Sequence, residues 1–241
     1  MCIIHNGEQY LDHTVNNISR HIRDIRHFYF LDGAWKEGGE GTSSTDRTME
    51  ILQKFANDNP NIEVTVSHHP QDKLWKNPSE KRNFALKEID EIYGDEPYFV
   101  FWFDDDEEIR FRDGREETWI SDYLEQSPKD YHILQTYGFN IKIGMLTVRF
   151  IRGGKGFHWH TERSMQLHDK NCNVVLDWTP EQEQYFGIVD TADMFIVNKW
   201  NRRTENTLKL RDHYAEYEFK KLMEDLDCQY QEKKALESYT N

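Results

Sequence analysis

From residue 1 to residue 103, short apolar runs alternate with amphipathic stretches, and this alternation limits the fold more than any other feature of the chain. Residues 1–4 are an apolar run closed by the turn signal His5-Asn6-Gly7. Residues 11–25 carry Leu11, Val15, Ile18, Ile22 and Ile25 at helical spacing. Residues 27–31 read as a buried strand stopped by Asp32-Gly33. A second helix is expected after Ser44-Thr45-Asp46, through Met49, Leu52 and Phe55. A strand over 62–66, a helix over 79–92 and an almost wholly apolar strand over 98–103 follow. This order predicts an α/β fold, a mostly parallel sheet flanked by helices. In such sheets ligands lie beyond the carboxyl ends of the strands. Three polar clusters fall at those ends: His5-Asn6-Gly7-Glu8, Asp32-Gly33 and Asp104-Asp105-Asp106.

After residue 106 the pattern changes. Residues 118–124 look helical, and 131–143 and 146–151 read as two strands of a hairpin turning at Gly144. Residues 158–169 are polar and aromatic, and 193–197 suggest another strand. From 204 to 236 the chain is charged and periodic, with Leu208, Tyr214, Tyr217, Leu222 and Leu226 as partial apolar faces, which predicts one or two packed helices. No linker or repeat interrupts the 241 residues, so a single domain with a substantial core is expected.

Composition narrows the function. A net charge of −14 argues against a protein whose main task is gripping nucleic acid, and suits one that meets an anion through a metal. The 3 cysteines, Cys2, Cys172 and Cys228, fit neither a disulfide framework nor a zinc pattern. No stretch approaches the ~18 apolar residues of a membrane span, and no signal peptide is evident. The simplest expected location is the cytoplasm.

The chemistry concentrates in Asp104-Asp105-Asp106-Glu107-Glu108, carboxylates that follow a buried strand without interruption. Like charges this close repel unless a cation neutralises them, and hard divalent cations prefer carboxylate oxygens. Read from the residues alone, the run is equally a solvated acidic loop or a helix start.

Four motifs, in order, carry a resemblance. Asn6-Gly7-Glu8-Gln9-Tyr10-Leu11 looks like the first strand-to-helix turn of the family 2 glycosyltransferases, which have the GT-A fold. Ser44-Thr45-Asp46-Arg47-Thr48 resembles that family's Gly-Ser-Thr-Asp-Arg-Thr segment, and Lys81-Arg82-Asn83-Phe84-Ala85-Leu86 its Ala-Arg-Asn-Xaa-Ala-Leu helix. Asp104-Asp105-Asp106 stands in the place of its Asp-Xaa-Asp motif. The resemblance implies a GT-A-like, Rossmann-like sheet with an acceptor-side hairpin and C-terminal helices. Residues 1–110 would form the nucleotide-sugar-binding half, 111–200 the acceptor-side half and 201–241 the helices.

It implies an inverting, metal-dependent hexosyl-type transferase using Mn2+ or Mg2+ and a nucleoside-diphosphate sugar, a UDP-sugar first. Asp106 would ligate the metal and Asp104 the metal or the ribose, because alternate side chains face opposite ways along an extended chain. Relatives supply a third ligand after the last core strand, where this chain has Asn198, followed by Lys199 as a diphosphate partner. Asp32, Glu8, Arg82 and Asn83 would line the donor site. Each also has a structural reading: Asp32 as a turn aspartate, Glu8 as a helix-start carboxylate, Arg82 as a surface ion-pair partner and Asn83 as a hydrogen-bonded loop holder. Asp46 reads as a helix cap. The general base falls in His158-Trp159-His160-Thr161-Glu162, with Glu162 first and His160 beside it; Asp177 and Glu183 are rivals, and the histidines also read as packed aromatic-pocket residues. Residues 34–44 form an insertion, read as a mobile loop that is either a lid or surface decoration. The acceptor class is open: glycan, lipid-linked sugar, protein or modified nucleic acid. Two other functions share the features, a metal-dependent nucleotidyltransferase and a non-catalytic nucleotide- or glycan-binding module of the same fold.

Overall fold

A computed structural model of the chain describes residues 1–36, 41–111, 119–137, 145–160, 166–172, 186–188 and 194–198. The first half follows the expected alternation: β1 (Cys2–Ile4), α1 (Leu11–His21), β2 (His27–Asp32), α2 (Thr48–Asp58), β3 (Glu63–Ser67), α3 (Pro78–Tyr93) and β4 (Phe99–Phe101). β2 lies between β1 and β3, parallel to both, with Ile4 opposite Asp32 and Phe28 opposite Val64. The other edge of β1 meets the end of β4: Cys2 bridges Phe103 in parallel, and the Phe103 N–H donates to the Met1 carbonyl at 3.1 Å.

Beyond β4 come β5 (Glu107–Phe111), α4 (Trp119–Gln126), β6 (Tyr131–Tyr137), β7 (Met145–Arg152), β8 (His158–His160), β9 (Gln166–His168), β10 (Phe186–Ile188) and β11 (Met194–Asn198). The strand order continues β4-β7-β6-β11-β5, with β10 also on β6. The fold is α/β, but the sheet is mixed rather than mostly parallel. β7 runs antiparallel to both β4 and β6, and β5 antiparallel to β11. The β6–β7 hairpin was legible; β5 was not, because its carboxylates read as a loop. β8 and β9 form a separate two-stranded ribbon.

Side-chain alternation splits the core into two clusters, one on each face of the first sheet. Phe28 and Phe30 join Leu11, Val15, Phe55 and Phe103, while Tyr29 and Leu31 join Trp75, Ala85 and Leu86. The Phe28 ring meets Phe55 and Phe103 edge-on at 5.1 and 6.0 Å. α1 ends four residues before the expected boundary, since Ile22 is already extended. α3 starts where the Asn77 side chain accepts from the Glu80 N–H, with Pro78 in the first turn.

The expected mobile insertion is tied down at both ends. Gly33 takes φ 103°, and a Cβ there would stand 2.6 Å from the Thr42 carbonyl oxygen, a position only glycine fills without strain. Trp35 pairs with the buried Trp75, whose indole N–H reaches the Asp32 carbonyl at 3.1 Å. Ala34 donates to Gly41 across the loop at 3.1 Å. The helices expected over 204–236 lie outside the described residues. Among the described residues no helix is long and apolar enough to cross a membrane.

Candidate functional site

The chain runs β1, β2, β3 outward in one direction, then returns through α3 to place β4 on the other side of β1. Connections that leave neighbouring strands in opposite directions open a crevice at their carboxyl ends. By that rule the crevice of this fold falls beside the turn after β1, residues 5–8, and the acidic run after β4, which meet at Gly7 and Asp105.

Hydrogen bonds stitch the turn after β1 to the start of α2. The Asn6 N–H donates to Ser44 Oγ at 2.8 Å, and the Thr45 N–H donates back to Asn6 Oδ1 at 2.8 Å. The Gly7 N–H donates to Thr48 Oγ1 at 2.8 Å, and the Glu8 N–H to Asp46 Oδ2 at 3.0 Å. The Glu8 carboxylate accepts from the Arg47 N–H at 3.1 Å. Asp46, expected as the cap, stands one residue before the N-cap Arg47 and accepts from the Thr48 N–H at 3.0 Å. Gly7 is required by close approach: a Cβ there would stand 2.6 Å from Asp105 Oδ2.

Asp32 is fully buried at the end of β2. Its two oxygens accept from the Ser44 N–H and Oγ at 2.8 and 2.7 Å, and His68 Nδ1 stands 3.6 Å away. Its carboxylate is engaged by the protein's own loop. Lys81, which the sequence reading passed over, is also fully buried. Its ammonium donates to the Ile4 and Gly33 carbonyls at 2.7 and 2.5 Å. Burial lowers its pKa to about 7, against the opposing pull of Asp32, Cys2 and Asp105.

The acidic run divides by environment. Asp104 is more than a third exposed and receives Arg82 Nη2 at 3.1 Å. Asp105 is buried, and its carbonyl accepts from Thr14 Oγ1 at 2.9 Å. Asp106 is half-buried. Glu107 opens β5 and forms a buried two-point pair with Arg149 at 2.8 and 2.6 Å, while also accepting from the Asp104 N–H at 2.9 Å. Burial raises the Glu107 pKa, with Arg149 opposing. Glu108 meets His13 at 2.7 Å. The last two carboxylates of the run are therefore structural, which their neighbours in sequence gave no sign of.

Arg82 is buried, with its guanidinium 4.6 Å from the Trp102 ring centre and 5.7 Å from that of Trp159. Asn83 exchanges two hydrogen bonds with the Trp159 backbone at 2.8 and 2.7 Å, docking β8 on α3. Trp159 and Leu167 face inward from the β8–β9 ribbon. His160 alternates to the other face, exposed, with its ring 4.8 Å from that of His168. Asn83 thus holds the acceptor-side ribbon, and His160 turns away from Arg82 and Trp102.

Of the expected site residues, Glu8, Asp32, Arg82, Asn83, Asp104 and Asp106 gather around the carboxyl ends of β1, β2 and β4. Asn198 comes beside them through backbone register, opposite Glu107 at the end of the acidic run. Glu162, Lys199, Asp177 and Glu183 lie outside the described residues. Among the described residues, two buried ring nitrogens near these strand ends have no hydrogen-bond partner: His5 Nε2 after β1 and Trp102 Nε1 before Asp104. Among the described residues no three His, Cys, Asp or Glu side chains are grouped to hold a metal ion by themselves. Neither a protein-family model nor a curated protein matches the chain.

Proposed function

We propose that the chain is a GT-A-type glycosyltransferase that moves a sugar from a nucleoside-diphosphate sugar, a UDP-sugar first, to an acceptor nucleophile with inversion. One observation carries the reading. The four separate motifs that resemble family 2 are joined around one crevice, at the point where the strand order reverses. Residues 6–8 bond to 44–48, Lys81 bonds the ends of β1 and β2, and Arg82 pairs with Asp104. The unpartnered His5 and Trp102 nitrogens are the kind of buried polar atoms a polar ligand satisfies.

The residues suit a divalent cation of the Mn2+ or Mg2+ kind. Such ions are held by one or two carboxylates together with substrate phosphates, so a complete cage of protein ligands is not required. Asp106 and Asp104 would hold it, with Asn198 adjacent by register. When bound, it supplies charge neutralisation for the leaving diphosphate. Arg82 adds positive charge beside Asp104, and the loops at 5–8 and 44–48 fix the floor of the donor site. The base that takes the acceptor proton is assigned to Glu162. The outward face of His160 makes it the weaker choice and favours, as a second reading, a binding module without turnover.

The test is a thermal-shift screen of nucleotide-sugars with and without Mn2+, followed by donor hydrolysis. Stabilisation by a nucleotide-sugar that requires the metal, together with slow hydrolysis, supports the transferase. Stabilisation without turnover supports the binding module, and no stabilisation by any nucleotide-sugar removes both.

A further inference from the structure

The ends of β1 and β2 present two carbonyls, that of Ile4, which closes the ladder opposite Asp32, and that of Gly33, the residue after Asp32. Buried carbonyls need a donor. Both are served by one group, the Lys81 ammonium, reaching across from α3 with no exposed surface. Ile4 leads directly into the turn at 5–8, and Gly33 into the loop that returns through Thr42 and Ser44. Those are the loops stitched together around the crevice. The charged groups that bear on Lys81 are Asp32 on β2, Asp105 after β4, Cys2 on β1, Arg82 on its own helix and His5 in the first turn. Lysine at this place is a demanding choice, because a buried ammonium is costly unless its donors are used.

We infer that Lys81 is a positioning residue that clamps the ends of β1 and β2 and so sets the two loops, 5–8 and 41–46, that form the floor of the ligand crevice. It touches no ligand itself. An apolar residue of the same length fills the space and leaves both carbonyls without a donor. An arginine keeps the charge and the donors. The ligand named in the test rests on the function proposed above, whereas the clamp does not.

The experiment compares the full chain with K81M and K81R in two measurements, amide hydrogen exchange and calorimetric binding of UDP with Mn2+. In K81M, exchange over 5–8 and 41–46 is expected to rise about tenfold or more, with 145–152 unchanged, and UDP–Mn2+ affinity to fall about tenfold. K81R recovers part of both. Loop exchange within twofold of wild type in K81M overturns the clamp, whatever the nucleotide does. If wild type binds no UDP with Mn2+ while K81M loosens both loops, the clamp stands and the transferase reading falls. Should K81M not fold, K81Q, which shortens the side chain and keeps an amide N–H, is measured in its place: selective loosening of 5–8 and 41–46 with 145–152 unchanged supports the clamp, and loop exchange within twofold of wild type overturns it.

Discussion

Arg82 donates to the Asp104 carboxylate at 3.1 Å from a side chain that is itself almost wholly buried, with its guanidinium against the Trp102 ring. The pair links α3 to the start of the acidic run, three residues past β4. Removing the arginine takes away both the ion pair and the ring contact. R82M is expected to lower stability by about 2 kcal/mol and to weaken UDP–Mn2+ binding about tenfold. Calorimetry that finds equal affinity in the variant would remove Arg82 from the donor site.

Asp106 is half-buried and follows Asp105, whose carbonyl is fixed by Thr14. D106N keeps the shape and removes the charge. Turnover with Mn2+ is expected to fall by about 100-fold or more, with the melting temperature little changed. Full turnover of the variant in the presence of a chelator would end the metal assignment.

As a donor-site residue Asp32 would matter more for binding than for stability; its burial and its two bonds from Ser44 predict a loss of stability as well. D32A leaves the Ser44 N–H and hydroxyl without their acceptor and removes a negative charge from beside Lys81, so a loss of about 2–4 kcal/mol is expected. Chemical denaturation measures it. A variant as stable as wild type would show that the carboxylate is held for a ligand instead.

His132 lies wholly buried in β6 against Phe99 and Tyr123, with neither ring nitrogen hydrogen-bonded among the described residues. Burial lowers its pKa from 6.5 to about 4, with Arg152 and Lys129 adding to the effect. The unfolded chain takes up this proton below pH 6.5 and the folded chain only near 4, so the unfolded state binds more protons between them. Stability is therefore present in full above pH 6.5 and is lost as pH falls towards 4. H132F is expected to flatten that part of the stability profile. Identical acid profiles for the two proteins would show that His132 is not the group responsible.

The base assignment rests on sequence alone. E162Q is expected to reduce turnover about 100-fold with donor affinity little changed. Normal turnover in E162Q with loss in D177N or E183Q would move the base to the later segment.

The sequence by itself determined the alternation of the first half, its four strands and three helices, and the three strand ends where polar residues collect. Apolar patterns are local, and the burial of Phe28 to Leu31 in β2, of Leu52 and Phe55 in α2 and of Ala85, Leu86 and Ile89 in α3 follows them. Only the tertiary structure decided what those polar residues do. Glu107 and Glu108 continue an acidic run in sequence, yet become a buried ion pair and a strand because Arg149 and β11 come from 40 or more residues away. Lys81 reads as a surface lysine until α3 packs under β1 and β2 and gives it two carbonyls. Asp32 is buried against Ser44 for the same reason, whereas Glu8 bonds Asp46 and Arg47 from an exposed position. Charge patterns in a sequence report which groups are present; their roles are set by partners distant in the chain, which only packing brings within hydrogen-bond reach.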